Sequence, residues 1–356
     1  ANTIRHIVPL SSLILLTSAA EWRVSSVNSD AITPTSISVK PQSYVGANNV
    51  QPVIVNNNML YVAARGGHVR EATYNWQANG FITGDLSLRS AHLFDNYNII
   101  DMAYTKAPEP IVWFISDTGK LLGLAYIPEQ QIGAWHQHDT DGTFESCTVV
   151  AEGNEDVLYV VVRRTINGAS KRYVERMASR QFADKEDAFF VDCGLTYSGP
   201  PADTISGLTH LEGKTVSILA DGAVHPQRVV TSGSIQLDVE ASKVHVGLPI
   251  EADLETLPLA MQIDGAFGQG RYKNVNKAWL RVFRSSGIFV GPNADNLVEA
   301  KQRTTEPYGS APELKSEEIQ IMLTPSWADS GSVFVRQSDP LPLTIASLTL
   351  EVAVGG

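Results

Sequence analysis

The stretch that decides the fold is SGLTHLEGKTVSILADGAVHPQRVVTSGSIQLDVEASKVHVGL, which spans residues 206–248. Residues 214–219 alternate apolar and polar side chains with the period of a half-buried strand. Asp221-Gly222 follows as a hairpin turn, because both residue types tolerate the positive φ that such a turn requires. Further strands are predicted at residues 227–230, 234–238 and 243–246. The stretch therefore predicts a small β-barrel module at residues 206–250, and nothing in it is typical of a catalytic site.

Short strands separated by polar turns also fill the part of the chain before this module. Apolar-aromatic runs recur there as MLYVAA (59–64), WFIS (113–116), LLGLAY (121–126) and VLYVVV (157–162). The strands group in fours, and many short strands at regular spacing are typical of sandwiches, barrels and propellers. We therefore predict a partial β-propeller-like domain at residues 1–180, lacking blades that a missing N-terminal part would supply. One short helix is predicted at residues 86–94, with Asp85 as its N-cap.

The remaining segments complete an all-β fold class. Residues 181–205 carry a charged run and then YSGPP (197–201), and they predict a linker because Pro and Gly interrupt regular structure. Strand-like runs at residues 274–284, 286–290, 317–323, 333–337 and 345–354 predict a C-terminal β-sandwich within residues 251–356. Between them, residues 301–315 contain Pro307, Gly309 and Pro312 and predict an exposed loop suited to contact a neighbouring molecule.

Charge and cysteine content restrict the functions that the chain can serve. Its 356 residues carry a formal net charge of −11, which argues against a nucleic-acid-binding surface but suits a wall past which nucleic acid slides. The two cysteines, Cys147 and Cys193, are too few for a disulfide framework, so we expect buried free thiols and assembly in a reducing cytoplasm. No apolar run reaches the roughly 20 residues of a transmembrane helix. The apolar run after Arg5 is interrupted at Pro9 and predicts a β-hairpin rather than a signal peptide.

The succession of several segments resembles the tail nozzle (tail tubular protein B-like) and tail-stabilisation proteins of short-tailed bacteriophages (podoviruses). Besides residues 206–248, the similar segments are VKPQSYVG (39–46), YVAARGGHVREATY (61–74), DLSLRSAHLF (85–94), IVWFISDTGKLLGLAY (111–126), QQIGAW (130–135) and YVERM (173–177). The match covers most of the chain in the right order, and its specificity comes from this succession. In this family the segment that resembles the first residues lies mid-chain, so we expect that Ala1 is not the natural start.

The resemblance implies a structural virion component: a tail nozzle or tubular ring that forms part of the conduit for viral DNA ejection. The implied partners are further copies of itself in a ring, the portal and adaptor, other tail proteins, and viral DNA that passes without sequence-specific binding. The implied location is the tail of the virion, after assembly in the bacterial host cytoplasm. We accordingly expect no enzymatic activity, no catalytic, cofactor-binding or metal-binding residues, no cofactor, and no membrane insertion by this chain.

An alternative stays open: a glycan-binding or glycan-cleaving propeller, acting as a receptor binder or depolymerase on a phage tail. A glycosidase needs two carboxylates that face one bond, and the sequence offers carboxylates without pairing them. The candidates are Asp101, Asp117, Asp139, Asp141, Glu145, Asp192 and Asp221. This alternative predicts a cleft with two close carboxylates, and it places Trp76, Trp113 and Trp135 along one open groove rather than inside the core.

Other motifs imitate chemical sites. His136 and His138 alternate on one predicted strand and share a face, as metal ligands would, but the spacing fixes no third ligand and a turn with Asp139 and Asp141 follows.

GLTHLEGKT (207–215) has five residues between its glycines where a phosphate-binding loop needs four, and a strand follows it. GAFGQG (265–270) lacks the dinucleotide-binding spacing and predicts a turn. A basic cluster near Glu175 could contact DNA or an acidic neighbour subunit, but a solvated or ion-paired strand edge is favoured. Its members are Arg163, Arg164, Arg176 and Arg180.

Overall fold

The computed structural model describes residues 2–28, 31–263, 266–301, 303, 305–307 and 310–355. The chain divides into two compact units, Ala1–Met177 (unit 1) and Ala178–Gly356 (unit 2). Antiparallel strands dominate both units, so the predicted all-β fold class is confirmed. Over the described residues, no helix has the length and apolar character needed to span a membrane.

The described part of unit 1 consists of antiparallel sheets that follow one another along the chain, each with its strands in sequential order. The first sheet comprises β1 (Ile4–Pro9), β2 (Leu13–Thr17), β3 (Glu21–Ser26) and β4 (Ile37–Ser43). The second comprises β5 (Val53–Val55), β6 (Asn58–Val62), β7 (Val69–Asn75) and β8 (Gly80–Asp85). The third comprises β9 (Ile99–Thr105), β10 (Ile111–Ser116), β11 (Leu121–Ile127) and β12 (Ile132–His138). The fourth comprises β13 (Thr143–Glu152), β14 (Glu155–Ile166) and β15 (Ala169–Arg176).

Each sheet of unit 1 packs on the next one in the chain. The strand β10 shows why, because all six of its residues are buried. Successive side chains of a strand point to opposite faces, so Val112 and Phe114 pack with the second sheet while Trp113 and Ile115 pack with the fourth. A further core, which includes Leu16 of β2 and others from β6 to β8, joins the first two sheets. The predicted grouping of strands in fours is therefore confirmed for the first three sheets, whereas the fourth has three described strands.

Unit 2 combines a curled sheet with two smaller facing sheets. The curled sheet has the order β16 (Asp192–Ser206), β19 (Ser234–Leu248), β17 (Thr215–Ala220) and β18 (Ala223–Val229). A second sheet has the order β20 (Ala252–Glu255), β27 (Phe334–Gln337), β24 (Phe289–Gly291) and β25 (Val298–Glu299). A third has the order β26 (Glu318–Met322), β23 (Lys273–Val282) and β28 (Ile345–Val354), and a short pair is formed by β21 (Gln262–Ile263) and β22 (Ala266–Phe267).

The curled sheet closes around one apolar core. His225 and Arg228 on β18 reach the first half of β19, where His225 Nε2 accepts from Asp238 N at 2.9 Å and Arg228 Nε donates to Gln236 O at 3.2 Å. The enclosed core contains Val216, Ile218, Ile235, Leu237, Val244 and Val246, among others. A separate core lies between the other two sheets and draws on β23, β24, β26, β27 and β28, which is the arrangement of a sandwich.

Two local predictions are corrected by the structure. Residues 192–206, assigned to a linker, form β16, because this segment pairs along the length of β19 despite its Gly and Pro residues. The predicted helix at residues 86–94 is a 3₁₀ helix, Leu88–Leu93, whose N-cap is Ser87 rather than Asp85. Asp85 instead accepts from Ser87 N at 2.9 Å, which is a local turn contact.

Two other predicted features have a clear outcome. The Asp221-Gly222 turn is confirmed, since the two residues have φ values of 45° and 76°, and the Asp221 carboxylate also accepts from Lys243 N at 2.8 Å. Residues 302, 304, 308 and 309 of the predicted contact loop lie outside the described residues. The later part of this loop is fixed by Lys185, whose Nζ donates to Ala311 O at 2.9 Å and pairs with the Glu313 carboxylate at 2.6 Å.

His245 makes the stability of the curled sheet sensitive to acid. The imidazole is buried and donates through Nε2 to Glu186 O at 2.9 Å, so in its neutral form Nδ1 accepts from the Thr196 hydroxyl at 2.8 Å. Burial lowers the pKa of His245 below its usual 6.5. At pH values between the lowered pKa of folded His245 and about 6.5, the unfolded chain binds a proton that the folded chain does not. The free energy of unfolding therefore falls as the pH drops below about 6.5.

We therefore predict a lower urea midpoint at about pH 5 than at about pH 7.5, and a smaller difference in His245→Gln, which has no imidazole to protonate. Circular dichroism of the full chain measures both midpoints. The matched control is His92→Gln, because it removes an exposed histidine of unit 1 and leaves the curled sheet unaltered. An unaltered pH dependence in His245→Gln would contradict this assignment.

Candidate functional site

A cavity of about 520 Å³ opens between the second and third sheets of unit 1. It is lined by Ile54, Asn56, Tyr104, Lys106, Pro110, Tyr126, Ile127 and Glu129. These residues combine aromatic and apolar surface with an amide, an ammonium and a carboxylate. Such a mixture of apolar walls and a few polar groups is the usual composition of a small-molecule site.

One wall of the cavity is built by two turns that hydrogen-bond to each other. Asn56 lies in the tight turn between β5 and β6 with φ of 53°, a left-handed conformation that Asn adopts at little cost. Glu129 lies in the 3₁₀ helix Pro128–Gln130, which follows β11 directly. Asn56 Nδ2 donates to Glu129 Oε1, so the carboxylate is oriented towards the second sheet.

Tyr126 forms the base of the cavity and ties the two sheets together. It lies on β11 and is almost fully buried, and its hydroxyl donates to Glu71 of β7 and accepts from Asn58 Nδ2 at 3.0 Å. Burial, together with the Glu71 carboxylate, raises the pKa of Tyr126 far above its usual range, so the phenol stays protonated at any physiological pH. Glu71 therefore contacts a lining residue through this hydroxyl, but its carboxylate does not itself line the cavity.

The opposite wall comes from the end of β9. Tyr104 is half-buried, and burial raises its pKa, with the Glu129 and Asp156 carboxylates adding to the effect. Lys106 is exposed, and its backbone N–H donates to Asp156 Oδ2 at 2.8 Å, which fixes the path of the chain beside the cavity. The lining contains one carboxylate, Glu129, and one ammonium, Lys106, so the cavity suits a neutral, polyhydroxylated ligand.

The three tryptophans named as a possible groove do not lie together. Trp113 is 2% exposed and belongs to the core between the third and fourth sheets. Trp135 packs against Phe94 and Phe114, and its Nε1 donates to Leu86 O at 2.8 Å. Trp76 is 78% exposed, in the turn after β7. The predicted row of open tryptophans is therefore wrong, and the aromatic surface of the cavity is supplied by tyrosines.

The carboxylates named from the sequence are dispersed and mostly have structural partners. Asp117 accepts from both the backbone and side-chain nitrogens of Asn98, and Asp101 accepts from Cys147 N at 2.9 Å. Glu145 lies between Arg163 and Arg172, and the hydrogen bond from Arg172 lowers its pKa. None of these groups lines the cavity described above. The carboxylate that lines the cavity, Glu129, was missed because its only sequence signal is a charge next to a turn.

The basic cluster is largely ion-paired along the fourth sheet. Arg164 is 2% exposed and makes a two-pronged contact with Glu175 at 2.6 and 2.7 Å. Arg163 pairs with Glu145 at 3.2 Å and Arg176 with Glu152 at 2.8 Å. These contacts confirm the ion-paired interpretation for those three arginines.

The two remaining motif predictions have different outcomes. His136 Nδ1 and His138 Nε2 lie 2.8 Å apart, but the described residues contain no cluster of three or more His, Cys, Asp or Glu arranged to hold a metal ion. Residues 207–215 lead into strand β17 as expected, so the phosphate-loop interpretation stays rejected. Gly265, the first residue of GAFGQG, lies outside the described residues.

The comparisons with known proteins give structural neighbours only. No family model matches the chain, and no curated protein matches it. Among solved structures it is similar to Bacteroides ovatus xyloglucan PUL GH43B, at 10% identity over 99% of this chain and 89% of that one, with a TM-score of 0.26. It is also similar to a chain described as a glycoside hydrolase, at 10% identity over 97% of this chain and 96% of that one, with a TM-score of 0.24.

These neighbours require one correction. The sequence led us to expect that the chain is not an enzyme, whereas the solved structures that it resembles are glycoside hydrolases, and this finding contradicts the expectation. We therefore withdraw it. At TM-scores of 0.26 and 0.24 the similarity assigns neither a substrate nor catalytic residues to this chain.

The Tyr126 hydroxyl should contribute measurably to the stability of unit 1. Tyr126→Phe keeps the ring but leaves Glu71 and Asn58 without their shared partner, which costs about 1–3 kcal/mol in the free energy of unfolding. Urea unfolding followed by tryptophan fluorescence measures the loss. Tyr44→Phe is the control, because Tyr44 is 78% exposed and should change stability little. Equal stabilities of the two variants would show that the Tyr126 contact is not stabilising.

Proposed function

We propose that this chain is a structural subunit of a short bacteriophage tail and forms part of the conduit for viral DNA ejection. The observation that carries the proposal is the ordered succession of segments similar to tail nozzle proteins. These segments fall on successive elements: residues 39–46 begin on β4, residues 61–74 include the end of β6 and most of β7, and residues 111–126 include β10 and most of β11. The similar segments thus follow one another along the strands of unit 1 in chain order.

A passive conduit needs rigid subunits that close into a ring. Copies that contact one another head to tail close into a ring when a whole number of the rotations between neighbours makes one full turn. The stacked sheets of unit 1 and the sandwich of unit 2 are compact bodies suited to such contacts. The net charge of −11 disfavours sticking of DNA to the wall. The partners in this proposal are further copies of the chain, the portal and adaptor, and other tail proteins, and the location is the virion tail.

Cryo-electron microscopy of purified virions, with native mass spectrometry of the natural protein, tests the proposal. We expect the chain in a closed ring at the tail and a multiple of the subunit mass in solution or in released tails. Density for the four stacked sheets identifies the chain within the ring. A protein that is absent from virions and monomeric at all concentrations would rule the tail function out.

Carbohydrate binding or cleavage on a phage tail is the second candidate, and the cavity of unit 1 favours it. Tyr104 offers a ring face, while Asn56, Lys106 and Glu129 offer hydrogen-bonding groups to the same space. Sugar rings combine an apolar face with hydroxyl groups, so a half-buried aromatic ring beside amide and carboxylate groups suits them. Of the two carboxylates that a cleavage reaction needs, the lining supplies Glu129.

Binding of purified polysaccharides from the bacterial host to the full chain tests this candidate. We expect Tyr104→Ala to weaken binding about tenfold or more through the loss of ring contact, and Glu129→Gln to abolish any cleavage while leaving the fold intact. Tyr44→Ala is the matched control, because it removes an exposed tyrosine that does not line the cavity. Binding that is equal in Tyr104→Ala and the unaltered chain would exclude the cavity as the site.

A further inference from the structure

The fourth sheet of unit 1 has three described strands where each of the first three sheets has four. Its last strand, β15 (Ala169–Arg176), pairs with β14 on one side and forms the edge of the sheet on the other. Most residues of β15 are exposed, and Val174 is exposed to 74%. The edge of a sheet carries a row of backbone donors and acceptors with which another strand can pair. The edge of β15 is therefore a candidate contact surface.

The backbone groups of alternate β15 residues point to this edge. Met177 N donates to Leu158 O at 2.9 Å, and this pair continues the β14–β15 register by one step. Successive residues of an antiparallel strand direct their N–H and C=O groups to opposite sides of the strand. The odd-numbered residues of β15 therefore face β14, whereas Arg172, Val174 and Arg176 direct their backbone groups away from it.

The strand β20 of unit 2 is an edge of the same kind but carries the opposite charge. It is the outer strand of its sheet, and all four of its residues are exposed. Thr256 N donates to Val333 O at 2.9 Å, which continues the β20–β27 register by one step. By the same alternation, Asp253 and Glu255 direct their backbone groups away from β27, and Glu251 lies just before the strand.

We propose that β15 of one copy pairs antiparallel with β20 of a second copy. This contact would join neighbouring subunits of the ring suggested above, and in that respect it rests on the proposed function. One register joins the outward backbone groups of both strands and also places opposite charges opposite each other, as Arg172–Glu255 and Arg176–Glu251 on either side of Val174–Asp253. On the other face of the joined sheet, Tyr173 lies opposite Leu254, which is 48% exposed in the single chain.

The side chains of the two edges are compatible with this register. Arg172 bonds to Glu145 of its own sheet through two of its five donor hydrogens, so the guanidinium can also reach a carboxylate of the second copy. Asp253 is already neutralised within its own chain, because Arg336 Nε and Nη2 each donate to its carboxylate at 2.7 Å. Its neighbour in the proposed pair is accordingly the uncharged Val174.

Charge favours this pairing over the pairing of identical edges. Two β15 strands centred on one another would place Arg172 opposite Arg176, and two β20 segments would place Glu251 opposite Glu255. Like charges directly opposite one another destabilise a strand pair, whereas opposite charges stabilise it. The contact is therefore heterologous, and a heterologous contact generates rings when the rotation closes.

Charge reversal with rescue tests the pairing, by sedimentation velocity of the full chain at increasing concentration. We expect the unaltered chain to self-associate, and Arg172→Glu or Glu255→Arg to weaken association about fivefold or more, because attraction becomes repulsion. The double variant has opposite charges at every contact and should recover most of the association. The matched controls are Lys40→Glu on β4 and Glu318→Arg on β26, which make the same changes at exposed positions of other edge strands.

Cysteine cross-linking tests the register. Val174→Cys combined with Asp253→Cys should form disulfides between chains on oxidation, because directly opposite Cα atoms are about 5.5 Å apart. Val174→Cys combined with Leu254→Cys is the control. This combination is one residue out of register and places the two thiols on opposite faces, so it should not cross-link.

Three results would overturn the proposal: an unaltered chain that is monomeric at all concentrations, single variants that associate as the unaltered chain does, or a disulfide that forms within one chain. The contact and the tail function can fail separately. A ring in virions in which β15 and β20 of neighbouring copies lie apart would overturn the contact alone. Rescue by the double variant, with the protein absent from virions, would support the contact and count against the tail function.

Discussion

The packing of β10 on both of its faces is the constraint on which unit 1 depends. A strand that is buried on both sides must be apolar at successive positions, and IVWFIS satisfies this with Trp113 on one side and Phe114 on the other. Each large apolar side chain stabilises the fold by about 1.5–3 kcal/mol when it is fully buried. The polar side-chain atoms of this row have partners, because Trp113 Nε1 donates to the Thr105 hydroxyl at 3.2 Å and the Ser116 hydroxyl accepts from Lys120 N at 3.1 Å. Displacing β10 would therefore open two cores at once.

The cavity and the pair of His136 and His138 both lie at the margins of this packing. The cavity opens where the second and third sheets separate, and Tyr126 crosses from the core to polar partners on the neighbouring sheet. The histidine pair lies at the outer margin of the core between the third and fourth sheets, against Trp113. In each case an aromatic side chain of the third sheet contacts polar side chains. Tyr126 contacts Asn58 and Glu71, and Trp113 contacts the two histidines, so packing in the core restricts the movement of these groups.

Local chemistry explains which parts of the structure could be predicted from the sequence. The Asp221-Gly222 turn and the run at β10 each follow from the conformational or burial preference of a few adjacent residues, and both are as expected. The strand β16 was missed because its Gly and Pro residues point to a linker, whereas pairing with β19 outweighs that local preference. The cavity could not be predicted, because Asn56, Tyr104 and Glu129 come from three distant segments whose proximity depends on the stacking of sheets.

The stacking of sheets in chain order has a consequence for the kinetics of folding. Each sheet of unit 1 is a meander of neighbouring strands, and the cores described here join a sheet to the next one along the chain. Contacts of short sequence separation close small loops and form quickly. A chain emerging from the ribosome can therefore complete one sheet and use its exposed face as the surface on which the next sheet condenses. We therefore expect unit 1 to fold sheet by sheet, in the order in which it is synthesised.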